Sequence, residues 1–267
     1  MMSDPEIVLR LSKLLGDGKA AVLCTLIEKE GSGPRNLGAK MLIEPEGNIL
    51  GSIGGGDMER RLVEESREVL KNGEPKILTF AMGVEPTGNA IPVDSKCGGV
   101  VKVFMDVIKP LPRLIIVGSG HIAKPLADLA EKVGFEIIVV DDAETATRER
   151  FPTVKELRNG PFGEEMKNLE LRSSDYVAIV HGETLYELEA LRTALRSRPA
   201  YIGLLGSVNK ANQHKKQLIG EGFSRETVES ICAPIGLHIG AETPEEIAVS
   251  IVAELIKKRR SQIRRAF

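Results

Sequence analysis

The chain has 267 residues, 42% of them hydrophobic, with 36 basic and 38 acidic side chains and a formal net charge of −2. That length supports one large domain or two ordinary ones with proper cores, and the near-neutral charge excludes the electrostatic footprint of a nucleic-acid or anionic-membrane binder. The three cysteines, Cys24, Cys97 and Cys232, lie far apart without a C-x-x-C spacing, which argues against a disulfide framework and a structural zinc site.

In chain order, the pattern predicts a helix near Pro5–Leu15, a strand at Ala20–Ile27 and a polar Gly/Pro loop, EKEGSGPRNLGAK. A hairpin follows, KMLIEPEGNILGSI turning at EPEG, then three glycines, a helix from about Met58 to Lys71 and a strand KILTF. An irregular stretch from Ala81 to Gly99 precedes a last strand, GVVKVFMDVI. Loops of that length inside a compact domain are usually functional or disordered, and its Cys97-Gly98-Gly99 end favours function. Two prolines in KPLPR then interrupt the strand pattern and mark a seam. The expectation is an α+β domain over residues 1–109 and a second domain over residues 110–267.

Beyond the seam, strands and helices alternate. RLIIVGSGHIAKPLADLAEKVGFEIIVVDD gives a strand, a Gly-x-Gly-x-x-Ala turn at Gly118, Gly120 and Ala123, a helix, and a second strand ending at Asp141. Further units follow: a strand DYVAIV, a helix around Leu185–Arg196, a strand AYIGLLG and a helix near Asn209–Ile219. In the closing helix, Thr243 and Glu246 have capping-box spacing and Pro244 takes the first helical position. This outlines a Rossmann-like, doubly wound parallel sheet. The basic run KKRRSQIRR from Lys257 reads as a solvated helix end, where cations suit the dipole. No apolar run is long enough for a membrane span, and the N-terminus lacks the order of a signal peptide. A cytoplasmic protein with no membrane or nucleic-acid partner is expected.

Two glycine-rich turns carry the candidate chemistry. In the second half, Gly118 permits the tight turn, Gly120 would let a pyrophosphate approach the helix end beside His121, and Asp141 could accept hydrogen bonds from a ribose, favouring NAD over NADP. The same fold is compatible with an unused site or with another nucleotide. His181, just past a strand end, is placed to act as an acid or base. In the first half, Gly54, Gly55 and Gly56 lead into a helix behind Ser52, a setting in which bare N–H groups usually meet an anion. Asp57 would compete with such a ligand. Either it caps the helix while the glycine N–H groups face the ligand, or the turn serves something other than a simple anion. Arg35, in a rigid loop, suits bidentate binding of an oxyanion, and with Asp57, Glu59 and Cys97 it completes a constellation. Cys24 and Cys232 read as buried small hydrophobes.

The motifs GSGPRNLGAKMLI, GSIGGGDMER, CGG, GSGHIA, YIGLLGS and PIGLHIGAETPEEIAVSI, in this order and across nearly the whole chain, resemble the xanthine dehydrogenase accessory factor (XdhC/CoxI) family. The resemblance implies a carrier that binds the molybdenum cofactor, a molybdopterin, or its tungsten counterpart. The carrier would protect this cargo and help deliver it, after sulfuration, to a molybdenum hydroxylase of the xanthine dehydrogenase or carbon monoxide dehydrogenase type. A cysteine desulfurase and a second copy of the chain are implied partners. One position departs: Asp57 stands where the family commonly has cysteine, and a carboxylate cannot carry persulfide sulfur or act as a soft metal ligand. Cys97 still matches. The rival readings are an NAD-dependent oxidoreductase using Gly118, Gly120, Asp141 and His181, and a nucleotide-sensing regulator.

Overall fold

In the computed structural model, which describes residues 4–94 and 97–264, the chain divides after Pro110 into two units, the second running from Leu111 to Gln262.

The first unit runs α1 (Asp4–Gly16), β1 (Ala21–Gly31), β2 (Lys40–Ile43), β3 (Ile49–Gly51), α2 (Gly56–Asn72), β4 (Lys76–Met82), β5 (Ile91–Val93) and β6 (Gly99–Ile108). Its strands form one six-stranded sheet in the order β3-β2-β1-β6-β4-β5, antiparallel except for the β4–β5 pair. Alternation along β1 explains the layers. Val22, Cys24 and Leu26 pack under Met58, Leu62 and Val69 of α2, whereas Ala21 joins Leu42, Ile7 and Leu14 beneath α1. Burial pushes the Cys24 thiol up to about 12, as expected of a core cysteine.

Three features differ from the sequence pattern. β1 continues to Gly31, because a bulge at Ile27 breaks the alternation while the strand goes on pairing with β6. The long stretch after β4 contains β5, whose three residues are too short to show a period. α2 begins at Gly56 rather than beyond Asp57.

The second unit runs β7 (Arg113–Val117), α3 (Ala123–Lys132), β8 (Glu136–Val140), β9 (Glu156–Arg158), α4 (Phe162–Asn168), β10 (Tyr176–Ile179), α5 (Thr184–Ser197), β11 (Tyr201–Leu204), α6 (Val208–Gly220), α7 (Arg225–Glu229) and α8 (Pro244–Arg264). The five strands are parallel in the order β11-β10-β7-β8-β9. The order therefore reverses between β7 and β10, and that is the switch point where ligands of open α/β sheets bind. Both faces are covered, so the strands are continuously apolar. Leu114 and Ile116 pack with α3 and α8, and Ile115 and Val117 with α4, α5 and α6. The capping box of α8 forms as read: the Glu246 N–H donates to Thr243 Oγ1 at 3.2 Å, and the Thr243 N–H to Glu246 Oε2 at 3.0 Å. The basic run at the end of α8 extends to Arg265, which lies outside the described residues.

Candidate functional site

In the first unit, the triglycine turn joins β3 to α2 through three residues with positive φ: Gly54 (149°), Gly55 (77°) and Gly56 (65°). A Cβ on Gly54 would strike Pro34 and lie 2.9 Å from Met58 Cε. Only glycine lets the turn pass there.

The carboxylate that caps this turn belongs to Glu59. Its Oε1 accepts from the Ser52 hydroxyl at 2.7 Å, the Ile53 N–H at 3.1 Å, the Gly54 N–H at 3.3 Å and the Gly55 N–H at 2.8 Å. The expectation that Asp57 caps α2 is corrected. The cap position is Gly55, which makes no side-chain bond, and Asp57 lies inside the first turn, paired with Arg60 and with Arg61. The Arg60 guanidinium, and after it Arg61, hold the Asp57 carboxyl below its ordinary range. The physical reason is that a helix can begin behind a glycine cap with no side-chain bond when a carboxylate of its own first turn reaches back to the N–H groups of the preceding turn.

Beside the turn lies a cavity of about 130 Å³ lined by Pro34, Gly54, Gly55, Gly56, Met58, Met82, Val93 and Asp94. Pro34 brings in the loop that carries Arg35, which is half-buried. Asp94 directly follows β5, three residues before Cys97, and Cys97 packs against the core cluster that holds Met58, Met82 and Val93. Gly98 leaves open space around its Cα, whereas a Cβ on Gly99 would meet Glu30 O at 2.5 Å, so Gly99 permits the close pairing of β6 with β1. The turn, the Pro34–Arg35 loop and the approach to Cys97 thus meet, although they are far apart in sequence. Asp94, Met58 and Met82 were not singled out from sequence; their only signal is their position beside the glycine and cysteine motifs.

In the second unit, Gly118, Asp141 and His181 come together at the switch point. A Cβ on Gly118 (φ 111°) would lie 2.8 Å from His181 Cα, so this glycine allows the β10–α5 loop to close on the β7–α3 turn. Asp141 is 3% exposed. Its Oδ2 accepts from Ser119 N at 2.6 Å and Ser119 Oγ at 2.7 Å, while Oδ1 accepts from Ala143 N at 3.2 Å and lies 3.2 Å from His181 Nε2. Tyr186 stacks on the imidazole at 4.4 Å. Gly120 and His121 are exposed and Ala123 is buried at the start of α3. Arg150 donates to Gly120 O at 3.1 Å.

A dinucleotide ribose at Asp141 would have to displace Ser119 or His181, so in this arrangement the residues that would read NAD do not fit it. Nearby, Lys210 Nζ donates to Gly182 O at 2.9 Å and Glu187 Oε1 at 2.7 Å, with His214 Nε2 2.9 Å from Glu187 Oε2. Lys210, at the surface, thus ties the buried Glu187–His214 pair to the backbone of the His181 loop. Ser119, Tyr186, Arg150 and Lys210 were also not singled out from sequence, since isolated polar residues have no period to mark them.

Among the described residues, no group of three or more His, Cys, Asp or Glu is placed to hold a metal ion, and no helix is long and apolar enough to cross a membrane.

Comparison with known proteins connects both halves to one family. The XdhC Rossmann domain matches residues 114–255, and the XdhC and CoxI family matches residues 14–81. YqeB of Escherichia coli (strain K12), an uncharacterized protein, is 35% identical over 88% of this chain and 43% of its own length; the chain thus spans less than half of that relative. A probable xanthine dehydrogenase subunit of Bacillus subtilis (strain 168) is 27% identical over 94% of this chain and 96% of its own length. The molybdenum cofactor insertion chaperone PaoD of Escherichia coli (strain K12) is 24% identical over 98% and 91%, respectively. With a domain match over more than half of its length, the chain belongs to the XdhC and CoxI family.

Proposed function

We propose that this chain is a carrier of the molybdenum cofactor, or of its tungsten counterpart, which it hands to a molybdoenzyme of the xanthine dehydrogenase type. The observation that carries the reading is the convergence, within the first unit, of the triglycine turn, the Pro34–Arg35 loop and Asp94 beside β5 on one cavity. The likeness to a protein named as a molybdenum cofactor insertion chaperone, and to one named as a probable xanthine dehydrogenase subunit, supports it. Arg35 would hold the phosphate of the cargo through its planar fork, and Cys97 would supply a thiolate near the metal or its sulfur. Asp57 carries no sulfur, so a cysteine desulfurase is the sulfur source that suits this chain. The handover would occur in the cytoplasm, with a second copy of the chain as a further partner.

The NAD-dependent oxidoreductase reading finds less support, because Asp141 is engaged by Ser119, Ala143 and His181. The test is the pterin and molybdenum content of the protein purified from cells that make the cofactor. Wild type should retain both. Arg35→Lys should lower the pterin content several-fold although charge is kept, and Cys97→Ser should lower the metal or its sulfur without changing the melting temperature. A wild-type protein without pterin, or one that turns over NAD with an aldehyde or quinone, overturns the reading.

A further inference from the structure

Glycine turns that open helices ordinarily present N–H donors to an anion. In this one, Ser52 Oγ and the N–H groups of Ile53, Gly54 and Gly55 are all spent on Glu59 Oε1. A phosphate could use them only by evicting Glu59 and remaining beside its charge. The adjacent cavity has the opposite chemistry from an anion seat. Among the described residues, Asp94 is its only ionisable lining side chain, an acceptor, and Met58, Met82 and Val93, all buried, give it polarisable apolar walls.

Resting on the carrier reading above, we propose that the triglycine cavity seats the ring of the cargo rather than its phosphate. It selects a flat heterocycle whose edge carries two adjacent N–H donors, the aminopyrimidinone edge of a pterin. Such an edge meets a carboxylate with two parallel hydrogen bonds, as a guanidinium does, while thioethers pack well against aromatic rings. Asp94 receives the edge, and Met58 and Met82 contact the ring. Gly54 keeps the wall open, since any side chain there would strike Pro34 and Met58. The phosphate would then lie outside the cavity, on the side of the loop that carries Arg35 next to Pro34. The same edge occurs in guanine, so the test separates the two sources.

The experiment titrates the full chain with hydroxymethylpterin, followed by its fluorescence, against lumazine, in which an oxo group replaces the amino donor, and against guanosine and inorganic pyrophosphate. The pterin should bind saturably. Lumazine should bind about tenfold more weakly or worse, because an acceptor then faces Asp94. Guanosine should bind more weakly than the pterin, and pyrophosphate should not displace it. Asp94→Asn should weaken pterin binding about tenfold, since one acceptor oxygen and the charge are lost, with an unchanged thermal melt. Absence of saturable pterin binding, displacement by pyrophosphate, guanosine binding as tightly as pterin, or an Asp94→Asn protein that binds like wild type would each overturn the proposal. If wild type purifies with its cofactor and Asp94→Asn retains as much, the ring seat is wrong and the carrier reading stands. If wild type holds no cofactor, it is the carrier reading that falls.

Discussion

Asp57 and Glu59 stand two residues apart at the start of α2, and their carboxylates face different surroundings. Asp57 pairs with Arg60 and Arg61 at the surface, an arrangement that typically contributes little. Glu59 gathers four donors of the turn that leads into the helix, of which, among the described residues, only the Gly54 N–H has a second acceptor, Ser52 Oγ at 3.3 Å. Asp57→Asn should therefore leave the melting temperature nearly unchanged. Glu59→Ala should cost roughly 1–3 kcal/mol, the range for stranding partly buried donors. Glu59→Gln keeps one acceptor oxygen and should recover most of that loss. Thermal melts of the three variants decide it, and a larger loss for Asp57→Asn than for Glu59→Ala would contradict the assignment. Both carboxylates were legible in the sequence as members of a glycine-rich constellation. Their roles were not, because local preference assigns a cap to the first aspartate after the glycines. The geometry depends instead on which carboxylate can reach back over Gly55, and that is set by where the helix starts.

At the scale of elements, long periodic segments were readable, as were short strands bounded by a turn or a glycine motif, such as β2, β3, β10 and β11, whereas short elements without such a boundary were not. The run β7–turn–α3–β8 and the capped α8 carry enough residues to show a period, while β5 and β9, with three residues each, and α7, with five, do not. The glycine turn after β7 and the acidic residue at the end of β8 were both legible in the sequence, but the contacts of Asp141 with Ser119, Ala143 and His181 were not. Sequence spacing puts an acidic residue at the end of β8 without saying whether it looks outward to a ribose or inward to the turn. In the structure Asp141 looks inward, and Gly118 is demanded by the His181 backbone. An inward carboxylate acts as a lock on the β7–α3 turn. Asp141→Asn retains only one acceptor oxygen for the Ser119 and Ala143 donors and should destabilise the protein by roughly 1–3 kcal/mol. It should leave any difference between NAD and NADP binding unaltered. Weaker NAD binding with an unchanged melt would instead make Asp141 a ribose reader.

At the scale of the whole molecule, both glycine-rich turns use the same device. A serine hydroxyl and neighbouring N–H groups close on a carboxylate of the same unit, Glu59 in the first and Asp141 in the second. Each unit therefore satisfies its own turn and has its own core, which suggests that each folds alone. A fragment beginning at Leu111 should unfold cooperatively, and its transition should match one of two in the full chain. Glu44 supplies a marker for the other. It directly follows the β2 strand and takes two hydrogen bonds from the Arg10 guanidinium of α1, at 2.6 and 2.8 Å. That contact, opposed in part by burial, holds its carboxyl below the ordinary range. A depressed carboxylate stabilises the fold fully above its unfolded pKa of about 4.3 and ceases to do so as the pH falls through the folded value. Glu44→Gln should accordingly lower one transition of the full chain at pH 7 and match wild type increasingly well below about pH 4. The transition that coincides with the Leu111 fragment should stay where it is at both pH values. If Glu44→Gln shifts both transitions together, or if the fragment is molten while the full chain is stable, the two units fold as one.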